Sequence, residues 1–290
     1  MPELPEVETI ARQLDKKLRG ATIKSVNLLQ SGRETPVGPK FVKALIGKKI
    51  ERIGRRAKLL VWNFTDGTAM LAHLKMTGRF VFVDKDFKPG KHDRAIFIFK
   101  PSHVARPASQ VPGTLRRAMM RRLVLVWSDI RKFGYVKVVK PKELEEVMAC
   151  YGPEPLEAQA HELAERLKSP KTRMVKAALL NQEAIAGVGN IYADEALHRA
   201  KLRPTRRLGT LTADDRLRLA KEIKKILCES LEQGGTSAND YVDASGKKGN
   251  FLGFLRVYGR AGEKCRDCGT AIKRITIGQR GTHYCPSCQK

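Results

Sequence analysis

The sequence predicts an α+β multidomain protein: an N-terminal helix-flanked β-sandwich, a central all-α domain and a C-terminal four-cysteine hairpin. Three observations carry this. Short segments rich in β-branched and aromatic residues fill positions 22–140 after one amphipathic stretch. Helical periodicity takes over after residue 140, and two CxxC pairs close the chain. The 290 residues suffice for two domains and a small appendage. The expected segments are 1–140, 150–235, a loop and linker over 236–260, and 261–290.

The opening MPELPEVETI starts a helix, with Pro5 near its first position, Val7, Ile10, Ala11, Leu14 and Leu18 at helical spacing, and Gly20 as its stop. Strands follow at 22–30, 58–64, 68–74, 79–84, 94–100, 123–127 and 135–140, with Asp66-Gly67 and Pro89-Gly90 as turn signals. Such strands after a helix suggest a sandwich or a barrel. From about Lys100 to Leu123 the chain turns Pro- and Arg-rich, a basic surface loop that either contacts phosphates or is disordered. A helix over 142–152 ends before Pro153 and Pro155, which mark a hinge. HELAERLK, TRMVKAALLN and IYADEALHRA are helical. A long helix from about Thr212 to Gln233 turns Leu219, Ile223, Ile226 and Leu227 inward. Cys150 and Cys228 are expected as buried small hydrophobes. Residues 236–260 suit a mobile loop before a FLRVYGR strand.

Lys and Arg number 56 against 30 Asp and Glu, a net charge of +26 with a pI near 10.1. Charge of that size implies a polyanionic partner, nucleic acid before an anionic membrane. With 42% hydrophobic and 30% charged residues the chain reads as globular and soluble. No run of 18 apolar residues occurs, and the acidic, Pro-rich start is unlike a signal peptide. A cytoplasmic protein at the nucleoid, with no membrane partner, is expected. Six cysteines in a chain this long are not a disulfide framework.

The strongest motif is Cys265-x2-Cys268 followed, after sixteen residues, by Cys285-x2-Cys288. That spacing suits a zinc ribbon holding one structural Zn2+ with no open position; redox pairs or a disulfide are the alternative. Between the pairs lies a basic hairpin with Arg280 near its turn, either a DNA contact or a solvated arginine. Ala186-Gly-Val-Gly-Asn-Ile-Tyr192 is a glycine turn opening a helix, whose N–H groups suit a phosphate. In the first domain Lys58, Met76, His92, Arg131 and Phe133 are candidate contacts. An apolar wedge amid cations enters a base stack, whereas core packing and ordinary surface charge are the plainer readings of each.

The N-terminus offers chemistry of its own. Removal of Met1, which a small Pro2 permits, leaves a secondary amine followed at once by the Glu3 carboxylate. An α-amino group with a pKa of about 7.8 is roughly one-third neutral near pH 7.5, against about one part in a thousand for an ordinary lysine. A neutral amine forms an iminium with electrophilic carbon, and a neighbouring carboxylate moves protons. An exposed helix start favours this; a buried one does not.

Together PELPEVET, RRAK, HLKMTG, KHD, RKFG, GVGNIYADEAL, QGGT, VYGR and the terminal C-x2-C-x16-C-x2-C resemble the bacterial formamidopyrimidine-DNA glycosylases across almost the whole chain. Several blocks are shared with the endonuclease VIII branch, but LPE at 4–6 is similar to the formamidopyrimidine branch. The resemblance implies a helix-two-turn-helix central domain and a monomeric base-excision repair enzyme, acting on damaged double-stranded DNA as glycosylase and abasic-site lyase. It makes Pro2 the nucleophile, Glu3 the proton shuttle, Lys58 a group in β-elimination and Arg280 a phosphate grip linked to δ-elimination. Met76, Arg131 and Phe133 would fill the gap left by the flipped base. His92, Lys171 and Asn190, with Lys176, would touch the DNA backbone. Departures are Lys132 where a second Arg is common, the long 100–123 loop, and the variable lesion-capping loop over Ser237–Asn250. A pyrimidine-preferring enzyme and a non-catalytic DNA-binding zinc protein are the competing readings.

Overall fold

The computed structural model describes residues 1–29, 38–84, 86–100 and 123–290. They form two compact units: Met1–Pro2, Glu6–Glu146 and Ser237–Gly249 in one, Glu3–Pro5, Val147–Thr236 and Asn250–Lys290 in the other. The basic stretch expected near residues 100–123 falls almost wholly outside the described residues.

Helix α1 (Leu4–Leu18), which belongs to the first unit from Glu6 onward, buries the expected stripe Val7, Ile10, Ala11, Leu14 and Leu18. It stops before Gly20, whose φ of 76° only glycine adopts easily. Two four-stranded antiparallel sheets follow. One has the order β1-β6-β7-β5, built from β1 (Thr22–Leu28), β5 (Gly78–Val83), β6 (Asp93–Lys100) and β7 (Leu123–Asp129). The other has the order β2-β3-β4-β8, built from β2 (Ile50–Arg56), β3 (Leu59–Phe64), β4 (Ala69–His73) and β8 (Tyr135–Val139). Trp62 of β3 meets Phe80, Phe97 and Phe99 of the facing sheet at ring distances of 5.8–6.3 Å, so the aromatic residues fill the sandwich.

Strand β2 and the short helix α2 (Pro39–Leu45) escape the sequence reading. IERIGRR has no clean alternation because a register shift between Ile50 and Arg52 breaks the period, leaving only Ile50 and Ile53 buried. Residues 237–249, expected as a loop and linker, pack with the first unit. Tyr241 and Ala244 join the sandwich core, Phe82 N–H donates to Ala244 O at 2.9 Å, and Gln13 binds both Asp243 and Ala244 N.

Helix α3 (Pro141–Ala149) leads to the second unit, where α4 (Ala160–Arg166), α5 (Val175–Leu180), α6 (Asn190–Arg199) and α7 (Ala213–Glu232) form the helical domain. A reciprocal cap between Thr212 and Asp215 starts α7, which turns Leu219, Ile223, Ile226 and Leu227 inward. Cys228 is exposed, against expectation: it sits about 100° around the helix from Leu227 and falls off the stripe. Cys150, just past the end of α3, is exposed too, and α3 itself buries none of its residues. FLRVYGR is not a strand. The Arg256, Val257 and Tyr258 N–H groups all donate to the Glu195 carboxylate at 2.8 Å, which replaces a strand partner. The chain closes with the antiparallel hairpin β9 (Lys273–Ile277) and β10 (Arg280–Tyr284), turned by Gly278 and Gln279, both at positive φ. Among the described residues, no helix is long and apolar enough to cross a membrane.

Candidate functional site

In the second unit, Glu3 lies at the N-terminus of α6. Its carboxylate accepts N–H bonds from Ile191 (3.0 Å) and Tyr192 (3.4 Å) and is 3% exposed. The orphan amides that the sequence reading offered to a phosphate are therefore taken by an anion of the chain itself. The glycines make room for it. A Cβ on Gly189 would stand 2.2 Å from Glu3 Cδ, and one on Gly187 would stand 2.6 Å from Leu4 Cδ1. Leu4 N–H donates to Gly187 O at 3.2 Å. Gln182, which the sequence gave no reason to single out, holds this turn by accepting from Gly187 N and donating to Val188 O.

The same helix carries the finger hairpin. Asn190 Nδ2 donates to Gly281 O at 2.9 Å, beside Arg280, which is exposed at the start of β10. The Lys176 ammonium and Asp194 carboxylate form a 2.6 Å pair with both side chains fully buried. Lys176 also donates to Gly281 O and Thr282 Oγ1, so it positions the hairpin and is not a surface phosphate contact. Burial pushes its pKa down while Asp194 opposes the shift. Tyr258 stacks edge-on against His283, and burial together with the Glu3 charge raises its phenol pKa. Lys171 is exposed.

In the first unit, a buried carboxylate organises the expected wedge. Asp129 accepts from Thr77 Oγ1 (2.5 Å) and Gly134 N (2.7 Å), while Thr77 Oγ1 accepts from Arg131 N (3.0 Å). This ties the loop carrying Met76 to the loop carrying Arg131 and Phe133. Phe133 is 41% exposed, and the Arg131 guanidinium stands 4.9 Å from its ring. Neither Thr77 nor Asp129 was legible as an organiser. Lys58 is buried at the β2–β3 turn, where Ala57 has a φ of 52°. Burial, then the charges of Lys75 and Lys58, push the His73 pKa down to about 4; its Nδ1 accepts from Lys75 N at 3.0 Å, as a neutral ring does. His92 is half-buried. Pro2 is buried in the chain that retains Met1, the less favourable case for a reactive amine.

The four finger cysteines place their sulfurs within 4.8 Å of one another. Cys265–Cys288 and Cys268–Cys285 are 3.9 and 3.4 Å apart. A tetrahedron of Zn–S bonds of about 2.3 Å has edges of about 3.8 Å, so the cluster fits a single structural zinc and leaves no position for water.

Residues 1–136 match the formamidopyrimidine-DNA glycosylase N-terminal domain, 151–242 its H2TH domain, and 262–290 a zinc finger found in FPG and IleRS. Sandwich, two-turn helical domain and finger define the class: a zinc-finger, DNA-binding glycosylase of DNA repair. The chain is 39% identical over 294 residues to a formamidopyrimidine-DNA glycosylase of Desulfitobacterium hafniense, with both chains wholly covered. It is 37% identical over 296 residues to that of Desulforamulus reducens, covering 100% of this chain and 99% of the relative. A solved Lactococcus lactis Fpg bound to abasic-site DNA superposes with a TM-score of 0.85 at 32% identity over both full chains. The chain belongs to the formamidopyrimidine-DNA glycosylase family.

Proposed function

We propose that this chain excises oxidised purines, formamidopyrimidines and 8-oxoguanine, from duplex DNA and then cuts the strand at the abasic site. The observation that carries the reading is Glu3: a buried carboxylate fixed by two helix-terminal amides, one residue after the proline expected to be the nucleophile. Solved relatives support the substrate class. One is a Lactococcus lactis FPG mutant bound to Fapy-dG DNA, another a MutM bound to carbocyclic 8-oxo-G DNA, each at 32% identity.

The target base must first leave the stack at a cost of a few kcal/mol. Met76, Arg131 and Phe133 fill the gap, and His92, Lys171 and Asn190 with the basic surface grip phosphates. If six to ten phosphates are neutralised, log affinity falls against log salt with a slope of about −5 to −9. With Met1 removed and Pro2 uncovered, its neutral nitrogen attacks C1′. The glycosidic bond breaks and the base leaves with a proton; the proline nitrogen gives up its own proton, and the C1′–O4′ bond then opens, O4′ taking up a proton, to leave the iminium. Glu3 is the proton shuttle. The iminium acidifies the C2′ proton; its loss, aided by Lys58, expels the 3′ phosphate, and Arg280 holds the phosphate for the second, δ elimination. Positions 1–140 would house the nucleophile, 150–235 and 261–290 the DNA grips, and 236–260 the cap and linker. The enzyme would act as a monomer at the bacterial nucleoid.

Borohydride trapping on a defined 8-oxoguanine duplex tests the reading. A covalent adduct whose mass places the link at Pro2 is expected; no adduct would leave a DNA-binding zinc protein. Glu3→Gln should suppress base release, and wild-type release in that variant removes Glu3 from the mechanism. A pyrimidine preference is the second reading, favoured by a Lactococcus lactis relative solved with oxidised-pyrimidine DNA. Faster excision of a pyrimidine lesion in side-by-side assays would select it.

A further inference from the structure

We propose that His198, in the last turn of α6, is a hydrogen-bond donor to the Cys265 thiolate and thereby a positioning residue of the zinc finger. His198 is fully buried, and its Nε2 lies 3.6 Å from Cys265 Sγ. The same nitrogen is 3.9 Å from the Asp267 carboxylate, so one edge of the ring faces two anions. On the other edge Nδ1 is buried and has no hydrogen-bond partner among the described residues. Of the other cations nearby, Lys201 and Arg256 make 2.6 Å pairs with Asp267 and Arg199 a 2.8 Å pair with Glu229, so their hydrogen-bonding groups are directed at carboxylates.

These facts fix the tautomer. A proton on Nδ1 would be a buried donor with nothing to receive it, and would aim the Nε2 lone pair at a thiolate and a carboxylate. A proton on Nε2 turns both contacts attractive and leaves only a lone pair unmatched. The need for a donor is electrostatic. Four thiolates around Zn2+ carry a net charge of −2, and N–H groups aimed at sulfur spread that charge. Cys265 already accepts from the Asp267 backbone N–H at 3.4 Å, as Cys285 does from Cys288. His198 adds a side-chain donor from outside the finger. No proton is transferred and no ligand exchanged; the ring holds one sulfur in place.

The test uses the full zinc-loaded chain with His198→Phe, which fills the site without a donor, and His198→Gln, which returns an N–H. Competition with a chromogenic chelator should show zinc affinity about 10- to 100-fold weaker in His198→Phe, with partial recovery in His198→Gln. In the cobalt-substituted proteins, the thiolate-to-cobalt charge-transfer band should shift in His198→Phe and return toward wild type in His198→Gln, which packing alone would not produce. Equal zinc affinity within twofold and an unmoved band in His198→Phe would overturn the assignment. If His198→Phe does not fold, nitrogen NMR of the cadmium-substituted wild type decides. Protonated Nε2 with scalar coupling to cadmium across Cys265 supports the bond; protonated Nδ1, or protonated Nε2 without that coupling, removes it.

Discussion

Substituting Gly189 by Ala isolates the fit between α6 and Glu3. The added Cβ would stand 2.2 Å from Glu3 Cδ and 2.5 Å from both of its oxygens. Non-bonded carbons rest about 3.5–4.0 Å apart, so the carboxylate must move by more than about 1 Å. The obstacle is the end of a side chain, so the fold survives, at an overpacking cost of about 1–3 kcal/mol. The displaced carboxylate loses its bonds from Ile191 N and Tyr192 N. A misplacement of about 1 Å in a reacting group is worth roughly 100-fold in rate. Single-turnover base release from an 8-oxoguanine duplex at saturating enzyme should therefore fall about 100-fold, with zinc content unchanged. Gly253→Ala, where a Cβ meets nothing within 4 Å, is the matched control and should be silent. Wild-type release by Gly189→Ala at full zinc content would refute the reasoning, since the carboxylate could then act from elsewhere.

Thr77→Val removes the hydroxyl that links Asp129 to Arg131 N; the two groups left unpaired cost about 1–3 kcal/mol each in a denaturant melt. Duplex binding, followed by fluorescence anisotropy, should weaken as the Arg131–Phe133 loop loses its tie. His73 is held neutral with its pKa lowered from 6.5 to about 4, so the unfolded chain binds a proton that the folded one refuses. Its stabilising share is complete above about pH 6.5 and is lost as pH falls toward 4, about 3 kcal/mol in all; His73→Gln should flatten that part of a stability–pH curve. Cys268→Ser should lower zinc content and DNA binding while the sandwich keeps its near-ultraviolet signal; unchanged zinc stoichiometry would contradict four-sulfur ligation.

What the sequence discloses follows from the range of the forces involved. The α1 stripe and the α7 stripe with its Thr212 cap are local periodicities, and both appear where the residues place them. The finger is legible because four sulfurs on one metal require a fixed spacing. Strand β2 is not, since its bulge destroys the alternation that would reveal it. Tertiary partners are equally silent. The resemblance named Glu3, but nothing local tells that its anion sits on amides 188 and 189 residues away along the chain. Nor does VYGR disclose that its Val257 and Tyr258 N–H groups belong to Glu195, or Lys176 that its charge is spent on Asp194.

Helix α6 has Glu3 on its first amides and a finger sulfur against its last turn, across ten residues that are almost all buried. Damage to the cysteines therefore need not stay in the finger. Peroxide that converts those sulfurs to sulfenic acids or disulfides releases the metal and takes away what braces the far end of the helix. An enzyme of this build would lose its carboxylate geometry through chemistry done some distance away, and repair capacity would decline with thiol titre before any atom near Glu3 is touched.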